Sequence, residues 1–365
     1  MSAATRGRFS WSVVAPLAGM VVLAASWGRH PGDAVAGLLA VFLIASVLAA
    51  VHHAEVVAHR LGEPLGSLVL AIAVTVIEVG LILTLMLSGS GKDTSTLARD
   101  TVFAAVMITT AGVVGISLLV GAGRHGLTHF NPEGSGSALA TVITLASVTL
   151  VLPRFTTSTP GPEFSSSQLA FAATVSVALY ALFVFTQTVK HRDFFLPVGP
   201  ESDMDADGHA DPPSSRDTLV ALGLLVVSLV AVVGLSKVES HPIERGVAAL
   251  GFPPSSVGVV IALIVLLPES IAAVRAAAAG RTQISLNLAY GSAIASIGLT
   301  IPALAVAKIW LSKPLALGLE PMQVVLLAVV SVVSVLTVVP GRAKTLNGGV
   351  HLVLLFAFVF LSVKP

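Results

Sequence analysis

Apolar runs close to one bilayer in length, parted by short polar breaks, follow one another along the whole chain. A helix crossing the hydrocarbon core needs about 17–25 mostly apolar residues. Eleven stretches approach that length: 11–28, 34–54, 65–88, 101–122, 137–153, 168–189, 218–236, 255–275, 286–308, 322–340 and 348–363. The pattern predicts an all-α membrane protein of about 11 transmembrane helices. The first run, behind Arg6 and Arg8 and with small residues near Ala25, shares features with a signal peptide. Its length, and Trp27 and Arg29 behind it, favour an extra leading helix within residues 1–30. The remaining ten spans divide into a five-helix unit over 31–190 and a second over 218–365, joined by a polar stretch at 191–217. Five crossings are an odd number, so the two units enter the membrane from opposite faces, as an inverted repeat.

The repeat is visible residue by residue. An offset of 191, from Glu78 to Glu269, also carries Val69 onto Val260, Ala71 onto Ala262, Leu97-Ala98 onto Leu288-Ala289, Thr101 onto Ser292, Ala104 onto Ala295 and Thr109 onto Thr300. Each copy thus brings one carboxylate deep into an apolar segment, where insertion scales set a cost of about 2.5–3.5 kcal/mol. Two such acids at equivalent positions point to a cation pathway, and to both acids meeting near the midplane.

Composition supports this reading. Hydrophobic residues are 55% of the 365 and charged ones 11%, which excludes a soluble domain. The net charge of +1 comes from scattered residues, which leaves no basic footprint for nucleic acid. There is no cysteine, so disulfide, thiolate-metal and thiol redox chemistry are absent. Lys and Arg slightly favour one side of the membrane, led by Arg6, Arg8 and the Lys190/Arg192/Arg216 segment, which sets the N-terminus in the cytoplasm. The 191–217 stretch carries Glu201, Asp203, Asp205, Asp207 and Asp211 among Gly and Pro and reads as a solvated cytoplasmic linker. Asp203, Asp205, Asp207 and Gly208 resemble the start of an EF-hand loop, but its closing bidentate Glu is missing.

Around the acids the available ligands are all oxygens. Pro268 removes a backbone donor just before Glu269 and frees the carbonyl of Ile264, which predicts a broken helix at the site. In the first copy Thr75 stands one turn before Glu78. Thr101 and Ser292 follow their glutamates at the same remove, and Ser296 shares a face with Ser292. Carboxylates, hydroxyls and carbonyls suit a hard cation, Ca²⁺ above Mg²⁺ or the imidazole- and thiolate-seeking metals. Two ionised glutamates neutralise one divalent ion, and on its departure their mutual repulsion and desolvation draw in protons. That competition is an exchange mechanism, electroneutral if two protons replace each Ca²⁺.

His52, His53, Glu55 and His59 close the second span; His52, Glu55 and His59 share a helical face. A pH-sensing or ion-entry role and an interfacial helix end both fit. An intramembrane metal-dependent hydrolase is the different-class alternative, although neither HExxH nor its inverse is present.

The passages VHHAEVVAHRLGEPLGSLVLAIAVTVIEVGLI, LARDTVFAAVMITTAGVVG and GVVIALIVLLPESIAAVRAAAAGRTQISLNLAYGSAIASIGLTIPALA resemble the calcium/cation antiporter superfamily, specifically bacterial ChaA-type calcium/proton antiporters of the cation/proton exchanger branch. The resemblance implies a secondary antiporter of the bacterial inner membrane, not an enzyme, that exports Ca²⁺ against protons by alternating access. It implies Glu78 and Glu269 as ion-binding acids and Thr101 and Ser292 as hydroxyl ligands, with Na⁺ or K⁺ as alternative cargo and no cofactor. Val74-Thr75 and Val265-Leu266 stand where relatives have a Gly-Asn pair, and Ala105 and Thr110 stand where relatives carry amides. These departures change the number of available ligands.

Overall fold

The computed structural model describes residues 11–29, 31–62, 65–88, 94–198, 213–310 and 313–364. The acidic run of the linker, with its EF-hand-like aspartates, lies outside the described residues. The chain is α-helical almost throughout. Its helices are α1 Trp11–Ser26, α2 Asp33–Leu61, α3 Leu65–Ser88, α4 Leu97–Met107, α5 Val114–His125, α6 Pro132–Ala146, α7 Ser166–Phe185, α8 Ser215–Ala249, α9 Ser256–Ala278, α10 Thr282–Ala307, α11 Pro321–Val338 and α12 Thr345–Val363. A π-helical segment, Ile108–Val113, joins α4 to α5 into one continuous rod, and another, Ser147–Val151, extends α6. Ten spans among the described residues are long and apolar enough to cross a membrane. The expected leading helix exists as α1, but at 16 residues with Pro16 inside it is shorter than a full crossing.

The compact units cut across the two sequence halves. One unit comprises residues up to Ser88 together with Pro212–Pro242, and the other comprises Gly89–Asp211 and Ile243–Pro365. The division falls inside α8 at Pro242, the residue that removes a helical hydrogen bond there.

In the first unit α2 and α3 form a hairpin. His53 Nε2 lies 2.8 Å from the Ser12 carbonyl, so the ring donates there and ties the start of α1 to α2. The first part of α8 lies against α1 where Gly19 meets Ala231, and against α3 where Gly80 meets Val233. Small residues at such crossings let backbones approach closely, which drives helix association where no hydrophobic effect operates.

The second unit shows the inversion directly. Gly258 near the start of α9 abuts the Asp100–Thr101 backbone of α4, while Gly121 of α5 abuts Ala277 at the end of α9. The second helix of the later repeat therefore runs parallel to the third helix of the earlier one. Within a single repeat those two positions are antiparallel, so the copies are upside down with respect to each other. A two-stranded pairing of β1 (Thr128–His129) with β2 (Arg342–Ala343) agrees. It joins the end of a third helix to the end of a fourth, and these reach the same side only in inverted repeats.

Gly258 also leaves no room for a side chain. A Cβ there would lie 2.7 Å from the Thr101 backbone nitrogen and 2.8 Å from the Asp100 carbonyl carbon. Backbone cannot rotate away, so Gly258→Val is expected to destabilise by about 1–3 kcal/mol, the usual cost of overpacking. A thermal melt of the detergent-purified variant checks this, and an unchanged midpoint would refute the close contact.

Candidate functional site

Glu269 lies mid-way along the continuous rod of α4 and α5. Gly258 is level with Thr101, and from there α9 advances eleven residues to reach Glu269. For an α-helix that advance is a rise of about 16 Å. It brings Glu269 level with the π-helical segment Ile108–Val113, which packs against α9. A tight turn at Ala279–Arg281 then reverses the chain. Ser292, eleven residues after that turn on α10, returns to the height of Glu269. Glu269 Oε2 is shielded from solvent, and Ser296 and Thr300 continue the buried face of α10.

The helix carrying Glu269 is not broken. α9 runs without interruption through Pro268 from Ser256 to Ala278, contrary to the expected break, because neighbouring i→i+4 bonds on either side sustain the helix across one missing donor. The backbone irregularity sits opposite, in the π-segment. Insertions of this kind leave a carbonyl outside the helical ladder. The amide of Val114 reaches back five residues to the Thr109 carbonyl and so passes over that of Thr110. Nothing in the ITTAGV hexapeptide signals a π-turn, so sequence reasoning had no access to it.

Hydroxyls around this level share one arrangement. Thr109 Oγ1 donates to the Ala105 carbonyl at 2.8 Å and Thr110 Oγ1 to Val106 at 2.6 Å. Each hydroxyl proton is thereby held on its own helix, while the oxygen keeps lone pairs that can face a cation. Thr101 is bonded in the same way, to Leu97 at 2.8 Å. It stands about 16 Å from the level of Glu269, however, towards the start of α4. Within the second unit, Glu269, Ser292 and the Thr109–Thr110 pair thus stand at one height, and Thr101 stands at another.

Glu78 belongs to the first unit. It lies mid-way along α3 and is 2% exposed. Thr75, one turn earlier, donates to the Ala71 carbonyl at 2.7 Å. A further intramembrane carboxylate, Glu239 on α8, is equally buried, and its Oε1 has no hydrogen-bond partner among the described residues. It lies about 9 Å along α8 from Val233, the residue that touches Gly80. Lys237, His241 and the two serines around it give the segment the look of a helix end, which is why the hydropathy pattern stops at 236.

In the histidine cluster the His52 and His53 rings meet edge-on at 5.5 Å. His53 is buried in its bond to Ser12, His52 packs its ring against Trp11 at 5.7 Å, and Glu55 and His59 are exposed. No three His, Asp or Glu side chains among the described residues come together as a metal site. The histidine that reaches the centre of the second unit is His351 on α12, fully buried between the π-segment and α11.

Comparison with known proteins follows the same lines. The sodium/calcium exchanger protein family model matches residues 34–189 and 220–364, that is, both five-helix halves. The chain is 44% identical to y4hA of Sinorhizobium fredii, covering 97% of this chain and 96% of that protein. It is 33% identical to the sodium-potassium/proton antiporter ChaA of Escherichia coli, over 95% and 94% of the two chains. Among solved structures, that of the Ca²⁺/H⁺ antiporter YfkE shares the fold, with a TM-score of 0.74, 16% identity and coverage of 97% and 100%.

Proposed function

The chain belongs to the sodium/calcium exchanger protein family and is a multi-pass secondary antiporter rather than an enzyme, and on that footing we propose that it exchanges Ca²⁺ for protons. What supports this reading is that each unit carries a buried glutamate on a membrane span with oxygen donors on its own helices. Glu269, Ser292, the Thr109–Thr110 oxygens and the carbonyl of Ile264 in the second unit, with Glu78 and Thr75 in the first, are hard oxygen donors without sulfur. Such donors suit Ca²⁺, which takes six to eight oxygens in a flexible shell. Two carboxylates balance its charge, and each takes a proton when the ion leaves, since a bare carboxylate in an apolar site is disfavoured. Alternating access then couples the two movements, with the cell's proton gradient driving Ca²⁺ export across the inner membrane. We assign Thr101 and Ser296 as further oxygen ligands, and His52, His53, Glu55 and His59 as pH-sensing or ion-entry groups.

A second reading has its own support. The relative at 33% identity is a sodium-potassium/proton antiporter, so Na⁺ or K⁺ as cargo on the same carboxylates is the competing assignment. One assay separates the two. In inverted vesicles energised to an acidic interior, a trapped pH dye should dequench on addition of Ca²⁺ at lower concentration than of Na⁺ or K⁺, and the response should be insensitive to an imposed potential. Response to Na⁺ or K⁺ alone assigns monovalent cargo, and strong voltage dependence rules out two protons per Ca²⁺.

A further inference from the structure

The π-segment at the level of Glu269 is not held by its own helix alone. His351, on α12, places Nδ1 2.9 Å from the Thr110 carbonyl and Nε2 3.1 Å from Thr337 Oγ1 on α11. A carbonyl can only accept, so Nδ1 carries the proton. The neutral ring then accepts at Nε2 from the Thr337 hydroxyl. Thr110 is the residue whose carbonyl the Val114 amide passes over in bonding to those of Thr109 and Ala111. A buried carbonyl that the amide four residues on does not take calls for another donor, and His351 supplies one. The ring is fully buried, and its Cβ packs against Gly115, at the far end of the π-turn. The segment is therefore packed against α9 and also tied to the His351–Thr337 pair.

We propose that His351 is a positioning residue of the cation site: by occupying the Thr110 carbonyl it keeps the π-turn wound, and so sets where the Thr109 and Thr110 oxygens stand relative to Glu269. Without that donor the orphaned carbonyl is best satisfied by rewinding to regular α-helix. Rewinding removes the inserted residue and rotates every side chain from Thr109 onward by about 100° around the axis. His351 touches no cation itself. It acts through the turn, on affinity and on discrimination between Ca²⁺ and ions of lower charge. The inference rests on the exchange reading above, and the wild-type signal tests that reading in the same experiment.

The test compares wild type, His351→Leu and His351→Asn in the pH-dye vesicle assay, titrating Ca²⁺, Na⁺ and K⁺ separately. Leucine fills the space without a donor, whereas the asparagine amide can present one near the position of Nδ1. Leu is expected to raise the Ca²⁺ concentration for half-maximal response about tenfold and to narrow the Ca²⁺/Na⁺ preference, with the maximal rate changed less than about threefold; Asn should restore most of the affinity. A tenfold change corresponds to about 1.4 kcal/mol, the size of one buried hydrogen bond. Leu and wild type showing equal half-maximal concentrations and the same cation order would overturn the proposal while leaving the exchange reading intact. Should His351→Leu fail to fold, Thr337→Val decides, since it removes only the hydroxyl that fixes the ring: a rise of about threefold supports the proposal and an unchanged value refutes it. Should wild-type vesicles show no exchange, the exchange reading fails, and Ca²⁺-dependent thermal stabilisation of the purified proteins measures the same affinity difference without transport.

Discussion

Glutamine in place of Glu78 or of Glu269 is expected to lower cation/proton exchange at least a hundredfold, while leaving the protein folded. Gln matches Glu in shape, and removing a charge from a buried apolar site relieves a desolvation cost, so the helices should assemble as before. The amide cannot take up and release a proton between about pH 5 and 9, nor can it balance a cation. A hundredfold loss is about 2.7 kcal/mol, below the several kcal/mol at stake when one buried partner of an ion is removed. Dye dequenching in inverted vesicles measures the effect, with matched expression and melting midpoints as the control. Either variant retaining more than about a tenth of wild-type exchange, with ordinary proton coupling, would remove that glutamate from the mechanism.

The largest stability effect is expected at the start of α4. Arg99 and Asp100 are 5% and 3% exposed, and their charged ends meet at 2.9 Å. The guanidinium also reaches Glu320 at 3.0 Å and the Gly318 carbonyl at 3.2 Å, and Gln323 donates to Asp100 Oδ1 at 3.4 Å. One arginine thus binds the start of α4 to the start of α11. Arg99→Ala leaves the Asp100 carboxylate buried with only an amide partner, since its Oδ2 has no hydrogen bond among the described residues. Breaking a buried pair from one side costs about 3–5 kcal/mol. Replacing both together, as Arg99→Met with Asp100→Leu, is expected to recover most of that loss, because no charge is then stranded. Thermal melts of the three proteins, wild type, single and double variant, check it; if the single and double variants lose stability equally, the pair is not what holds this end together. The contact is invisible in sequence, where Arg99 and Asp100 read as an ordinary polar helix start and Glu320 lies 221 residues away.

Much of the architecture was already legible in the order of residues. Hydrocarbon has no water with which to satisfy a backbone, so a spanning segment must be helical and apolar, and its length is set by the bilayer. The spans of α2 to α12 could be marked on that ground alone. The offset that pairs Glu78 with Glu269 showed two copies, and an odd number of helices in each required their inversion, which the parallel run of α9 beside α4 and α5 and the pairing of β1 with β2 bear out. The acids themselves could be found because an ionisable group is costly in an apolar run, and cost makes it conspicuous.

What remained was decided by packing in three dimensions. Pro268 looked like a break, yet α9 stays whole, and the displaced backbone lies across from it in the π-turn at Ile108–Val113. A π-turn depends on what can receive the extra carbonyl, here His351 from α12 and Thr337 behind it, residues that no local pattern connects to Thr110. Thr101 stands near the start of α4, level with Gly258, which sets the height of α9 against it. Sequence by itself determined which segments enter the membrane, that they come as two inverted copies, and that each copy carries one matched carboxylate, since all three follow from transfer free energy and chain count; Glu239 on α8 escaped it. Tertiary structure alone decided which hydroxyls share a level with Glu269, where the backbone departs from the helix, and what holds it there. Those are matters of helix height and rotation, and they are set by contacts between residues remote in the chain.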